Sequence, residues 1–484
     1  MTTSQKPQEL TAHPVDYSLK WYVLAAVGMG IFLATIDGSI VNIALPTLVR
    51  SFNTDFATVQ WVVLAYLLTI TTLILSVGRL ADMIGKKPIY TVGFVVFTLG
   101  SLLCGISPSI YWLIAFRVLQ AIGAAMIMAL GMGIITEAFP PRERGKALGI
   151  SGSIVSVGIV AGPTIGGFLL DALSWHWIFY VNLPIGIIGT LMVIRFVPDI
   201  KPTGKQKFDY LGAFSLFLSL LSLLTALTLG QQSGFLNQQT LLLFAGWFIF
   251  LMLFIIIELR NDQPMIDLRL FKNKLFSINL ITGFITFITI SGTIILMPFY
   301  LENVLGYNTK QVGLLLAAVP IAMGVIAPLS GSASDRFGSR RITVIGLIVL
   351  LLGYYSLSSL DTNTSIVGYL IRFIPIGVGM GIFQSPNNSA IMGTAPSDRL
   401  GIVSGLLAVT RTLGQTAGIA ILGAIWASRV YSYEGDALLG GATSASPSSQ
   451  VYALNDTFMV TVYLILFALI LGIWGLIKER KVNH

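Results

Sequence analysis

Fourteen predominantly apolar stretches of about 19 to 29 residues follow one another along the chain, most of them separated by short polar links. They lie near 21–49, 57–78, 88–106, 110–138, 146–170, 177–197, 209–230, 240–258, 276–301, 310–332, 342–360, 365–393, 400–428 and 457–477. Each is long enough to cross a hydrocarbon layer of about 30 Å as a helix with some tilt. The runs are far longer than barrel strands of about 9 to 11 residues and lack their strict alternation. The pattern therefore predicts an all-α polytopic membrane protein. Residues 1–19 are polar and hold no apolar core of the signal-peptide kind, so the first span is expected to act as its own insertion signal.

Composition agrees with the pattern. The 484 residues are 55% hydrophobic and 10% charged, where a soluble domain carries about 25% charged residues. The formal charge of +8 needs no nucleic-acid partner. Of the 29 Lys and Arg, about 23 fall in links that share one side of a fourteen-fold weave, and only Arg50, Lys310 and Arg429 fall on the other. Basic links stay in the cytoplasm, which places both termini there and the chain in the cell membrane. A single cysteine, Cys104, excludes an intrachain disulfide.

Laid on itself at an offset of about 254, the chain repeats. Gly78-Arg79-Leu80-Ala81-Asp82-Met83-Ile84-Gly85-Lys86-Lys87 meets Gly331-Ser332-Ala333-Ser334-Asp335-Arg336-Phe337-Gly338-Ser339-Arg340-Arg341, Arg117 meets Arg372, and Pro141 to Arg144 meets Pro396 to Arg399. Two six-helix halves in parallel orientation would do this, with spans seven and eight as an inserted, topology-neutral pair. The expected division is a tail 1–20, a first half 21–200, an inserted pair 201–260, a second half 261–478 with a flexible outer loop 429–456, and a tail 479–484. Under the same offset Asp37 falls on Ser291, so the acid has no counterpart.

That acid is the first candidate for chemistry. Asp37 sits deep in span one, where a charge costs about 2.5 to 3.5 kcal/mol on insertion scales and defaults to an ion or substrate path. Arg117 in span four lies within roughly 6 Å of the same depth at 1.5 Å per residue, so the two can pair if their helices are neighbours. Arg117 and Gln120 share a helical face, and a buried polar seam is the competing reading for Gln120. In span five Gly158, Gly162 and Gly166 line one face, with Gly167 and a bending Pro163 beside them, which is a packing stripe or a hinge. The turn Gly78 to Lys87 carries Asp82, Gly85 and Lys86, matched by Asp335, Arg336 and Gly338; a latch explains an acid followed by a glycine in both copies, while a positive-inside anchor explains the lysines alone. Asn42, Gln120, Asn182, Phe383, Gln384, Asn387 and Arg411 are the candidates for a substrate cavity, with interhelical bonding the competing reading for Phe383, Gln384 and Asn387. No P-loop, dinucleotide fingerprint, nucleophile elbow or zinc spacing is present, so neither ATP drive, nor an enzyme, nor a metal site is expected.

Four of these motifs in order, the loop Gly78 to Lys87, Arg117 with Gln120, Gly158 to Gly167 and Asp37 to Pro46, together with the inserted pair, resemble the fourteen-helix drug:proton antiporter family of the major facilitator superfamily. The resemblance implies multidrug-type export by alternating access. It implies Asp37 and Arg117 in proton coupling, the span-five motif where the halves meet, and the loop as a conformational latch. It also implies the proton gradient as energy source without a cofactor, small molecules and protons as partners, and action as a monomer or with accessory export proteins. Met83 departs from the family's usual Arg, which Arg336 supplies in the second copy, so a weaker first latch is expected. The nearest alternative is a transporter of one metabolite or lipid-like compound on the same fold; a receptor or scaffold would carry soluble appendages, and none is evident.

Overall fold

The computed structural model describes residues 17–140, 142–199, 209–261, 268–393, 400–434 and 441–482. Among these the backbone consists of helices and short links, without a strand, and fourteen helices are long and apolar enough to cross a membrane. In order they are α1 Lys20–Phe52, α2 Trp61–Ile84, α3 Lys86–Gly105, α4 Ile110–Ala138, α5 Arg144–Ala172, α6 Asn182–Phe196, α7 Tyr210–Ser233, α8 Gln238–Arg260, α9 Lys274–Phe299, α10 Ala318–Phe337, α11 Ser339–Leu357, α12 Ile366–Gly393, α13 Leu400–Glu434 and α14 Pro447–Val482. Short helical segments, Trp177–Tyr180 and Thr309–Leu316, lead into α6 and α10. The links 201–208, 262–267 and 396–399, together with Pro141 and the side chain of Asp82, lie outside the described residues.

Local chemistry sets the helix starts. Ser109 accepts from the Trp112 amide to open α4, Asp209 accepts from Gly212 to open α7, and Asn308 forms a capping box with Gln311 ahead of α10. Each bond satisfies an amide that the first helical turn leaves without a partner. The same logic corrects one expectation. The stretch 429–456, rich in Gly, Ser and Ala, reads as a flexible loop, but α13 runs on to Glu434 and α14 begins at Pro447. Ser446 Oγ accepts from the Ser449 amide and Pro447 takes the first helical position, where its missing N–H costs nothing. Gln450 Nε2 then ties the start of the helix back to the Ala445 carbonyl at 2.8 Å.

Lipid tails are as apolar as the side chains, so close approach and hydrogen bonding hold such helices together. In the first half α1 packs on α4, α5 and α6, while α4 packs on α2 and α3. In the second half α9 packs on α13 and α14, and α12 on α10 and α11. The inserted α7 and α8 pack on each other, and α7 also lies against α2 and α13, with Trp61 Nε1 donating to Thr228 Oγ1 at 3.1 Å. The repeat is visible in the backbone: Gly85 between α2 and α3 has φ +109°, and Gly338 between α10 and α11 has φ +89°. Both tight turns use a conformation that a side chain would strain.

Fourteen crossings bring Tyr17 and Val482 to one face, called here the terminal face. On the opposite, far face the halves meet. Arg50 Nη2 pairs with Glu302 Oε2 at 2.6 Å, and Phe56 of the first half packs edge-on to Phe299 and Trp426 of the second. A Cβ placed on Gly149 or Gly152 of α5, Gly78 of α2 or Gly393 of α12 would meet nothing within 4 Å. The halves also touch through α2 and α13.

Candidate functional site

The turn of α1 that carries Asp37 points into the first half. Asp37 Oδ2 accepts from Arg117 Nη1 of α4 at 2.6 Å. Its other oxygen accepts from Gln120 Nε2, one turn further along α4, at 2.7 Å and from Asn182 Nδ2, the first residue of α6, at 2.9 Å. Gln120 returns its carbonyl to Arg117 Nη1 at 2.7 Å and donates to Ser101 Oγ of α3 at 2.8 Å. Arg117 reaches the second helix as well: its Nε donates to the Val62 carbonyl at 3.0 Å, and its guanidinium lies 3.9 Å above the Tyr66 ring. Five helices of one half thus converge on a single carboxylate.

Asp37, Arg117, Gln120, Asn182 and Ser101 are fully buried. A charge so placed is tolerable only when paired and hydrogen-bonded, and removing one partner of such a pair costs about 3 to 5 kcal/mol. Three polar atoms around the pair, Arg117 Nη2, Tyr66 Oη and Asn182 Oδ1, have no hydrogen-bond partner among the described residues. The assembly joins a guanidinium that stays charged to a carboxylate that can take a proton. Neutralising Asp37 leaves Arg117 held by a carbonyl, an amide oxygen and a ring, which is a different balance of forces on α1, α2 and α4.

The two charged members, expected to meet from their depths alone, are brought together. Gln120 and Asn182, expected at a cavity wall, are instead ligands of the carboxylate. Phe383 is buried against Gly346 of α11, and Asn387 is buried and donates to the Asn279 carbonyl at 3.1 Å. Asn42, Gln384 and Arg411 keep partial exposure. Asn42 lies along an open face of α1, donating to the Gly38 carbonyl at 3.0 Å, and a Cβ on Gly38 would meet nothing within 4 Å. Ser101 and Tyr66 escaped the sequence reading; a lone serine and a lone tyrosine in apolar helices carry no signal of their own.

The glycine stripe of α5 faces α1 of the same half rather than lying wholly between the halves. A Cβ at Gly158 would come 2.1 Å from Thr35 Oγ1, one at Gly162 1.8 Å from Ser39 Oγ, and one at Gly166 2.7 Å from Ile40. Gly167, next to them, crosses to the second half, where a Cβ would sit 2.6 Å from the Thr309 carbonyl. Pro163 sits inside the helix without ending it, its carbonyl against Gly313. At the terminal face Lys86 pairs with Glu137 at the end of α4, within the first half, while Asp335 and Arg336 are exposed.

Comparison with known proteins agrees with this architecture. The chain is 34% identical over 464 residues to the riboflavin transporter RibZ of Clostridioides difficile, covering 96% of this chain and 99% of the relative. It is 33% identical over 406 residues to the multidrug resistance protein Stp of Mycobacterium tuberculosis, covering 84% and 75%. A solved bacterial homolog of the human lysosomal transporter Spinster superposes with a TM-score of 0.66 at 18% identity, covering 95% of this chain and 97% of that one. The profile of the Major Facilitator Superfamily matches residues 27–419. With fourteen spans, two six-helix halves and an inserted pair, the chain belongs to the major facilitator superfamily and is a transporter of small molecules, not an enzyme.

Proposed function

We propose that the chain exports hydrophobic or amphipathic small molecules from the cell in exchange for protons. The observation that carries the reading is the sealed pairing of Asp37 with Arg117 at 2.6 Å, the one acid deep within a described span. A proton arriving at Asp37 from outside loosens its hold on Arg117, Gln120 and Asn182. The helices that meet there re-pack, the far face opens and substrate leaves; release of the proton toward the cytoplasm restores the pair. The turns at Gly85 and Gly338 act as latches in this cycle, and the α5 stripe transmits motion from α1 to the second half. The excess of basic links on the terminal face supports a cytoplasmic position for that face, in a protein of the cell membrane. The multidrug resistance protein Stp among the relatives supports a broad substrate range.

Transport of one metabolite is the second reading, favoured by the near full-length match to a riboflavin transporter. Purified protein in proteoliposomes tests both. Under an imposed pH gradient the exporter moves several unrelated amphipathic dyes and releases protons as each dye is added, and Asp37→Asn stops both. Uptake of a single metabolite alone supports the second reading, and transport indifferent to the gradient sinks proton coupling.

A further inference from the structure

Asp37 and Glu302 are both buried carboxylates with an arginine partner, and their surroundings differ. Asp37 accepts three hydrogen bonds spread over its two oxygens. Glu302, in the turn Tyr300–Val304 that follows α9, accepts one among the described residues, from Arg50 Nη2 to Oε2 at 2.6 Å. Its Oε1 is sealed, with no partner among the described residues. The single donor is itself wet: the Arg50 side chain is 56% exposed, against 5% for Glu302, and it also donates to Thr47 Oγ1 at 3.3 Å. Water and salt screen such a cation. A carboxylate buried with half its acceptors unmet sits more easily as the neutral acid than as the ion.

Glu302 also stands where the halves meet. Among the described residues its pair with Arg50 is the one ion pair that crosses between them. The helix Thr309–Leu316 beside the turn seats on the first half, where a Cβ on Gly313 would lie 2.3 Å from the Pro163 carbonyl. The other titratable groups on the elements around the turn are engaged elsewhere or neutral. Lys310 lies 4.9 Å over the Phe168 ring, and Tyr300 donates to the Asp361 carbonyl. Asp456 of α14 accepts from Tyr433 and pairs with Arg429, and Tyr307 is uncharged at neutral pH. Parting the halves withdraws Arg50 and admits water, which tolerates the ion. The closed arrangement therefore binds a proton at Glu302 better than the open one, and a ligand shifts an equilibrium toward the state that binds it better.

From this we propose that Glu302 is a second proton-binding site, reached from the far face, whose protonation holds that face shut. This goes beyond the exchange at Asp37 and has the opposite sense: a proton at Asp37 opens the far face, and a proton at Glu302 closes it. Acid on the far side thus limits the cycle that it drives.

Because wild type superposes the two responses, the test uses the full chain with Asp37→Asn in nanodiscs. Cysteines replacing Tyr111 and Thr362, exposed on the far faces of the two halves, carry spin labels, and pulsed electron resonance reads their separation. The share of long distances is expected to fall at least threefold from pH 8 to pH 5. Adding Glu302→Gln, which mimics the neutral acid, gives the low share at both pH values. Adding Arg50→Ala instead, which removes the donor, raises the open share at pH 8 and leaves it to close again in acid. A separation indifferent to pH, a response that survives Glu302→Gln, or an Arg50→Ala form that stays open in acid overturns the assignment. Gradient-driven transport by the wild type tests the exchange at Asp37 separately.

Discussion

Arg50 at the end of α1 and Glu302 just past α9 form a 2.6 Å ion pair between the halves, and they are buried very unequally: the arginine side chain is 56% exposed, the glutamate 5%. The two are therefore not interchangeable as targets. Losing Glu302 frees a wetted arginine, which costs less than about 1 kcal/mol. Losing Arg50 strands a buried carboxylate, which costs about 1 to 3 kcal/mol. Arg50→Ala should open the far face more than Glu302→Gln, and Arg50→Ala with Glu302→Gln should return toward wild type. Maleimide labelling of cysteines placed on that face reads this out, since the native Cys104 is buried. Equal labelling in both single variants would remove the ion pair as a far-face clasp.

At the carboxylate the same reasoning ranks a second set of variants. Asp37→Asn keeps the shape and removes a charge from a pair, whereas Arg117→Ala leaves Asp37 buried without its cation. Arg117→Ala should lower stability by about 3 to 5 kcal/mol, and adding Asp37→Asn to it should recover part of the loss. Thermal unfolding of the purified variants in detergent measures the order; a double variant less stable than Arg117→Ala contradicts it.

Tyr66 makes a separable test of what the ring does. Its hydroxyl has no partner among the described residues, while its face lies 3.9 Å from the Arg117 guanidinium. Tyr66→Phe should be neutral or stabilising, and Tyr66→Leu should cost about 1 to 2 kcal/mol through the lost cation–ring contact. Should the phenylalanine variant prove the weaker of the two by unfolding midpoint, the hydroxyl and not the ring is the important group.

Two glycines on α5 should behave oppositely. Alanine at Gly162 places a methyl 1.8 Å from Ser39 Oγ, whereas alanine at Gly152 meets nothing within 4 Å. Gly162→Ala is expected to reduce transport at least tenfold at normal expression, and Gly152→Ala to stay within twofold of wild type. Comparable losses in both would detach the stripe from the transport cycle.

The sequence shows some of this plainly and some of it not at all. Asp37 and Arg117 stand out because a charge in an apolar run is expensive, and counting residues from the helix ends puts them at one depth. The paired turns at Gly85 and Gly338 are legible because a backbone with positive φ selects glycine in both copies. Asn182 and Gln120 were expected at the cavity and lie in the cage instead, since a neutral amide costs about as little against a neighbouring helix as against a wet wall, and only the angle of α6 relative to α1 decides. The start of α14 was hidden under Gly, Ser and Ala content that outweighed the Ser446–Pro447 signal. Glu302 drew no notice as the partner of Arg50, because 252 residues of chain separate them.

The seating of α5 on α1 also limits how the molecule can move. Where glycine backbone meets a neighbouring side chain only one partner has a rotamer to turn and there is little slack to take up, so a displacement of α1 should be passed largely to α5. Packed interfaces of that kind favour two discrete arrangements over a continuum. Asp37 and the residues that touch the stripe occupy adjacent turns of the same rigid helix, and Gly167 carries that stripe to the edge of the second half. Any change of charge at Asp37 would thus act on a lever with few joints, and half-open states should be short-lived.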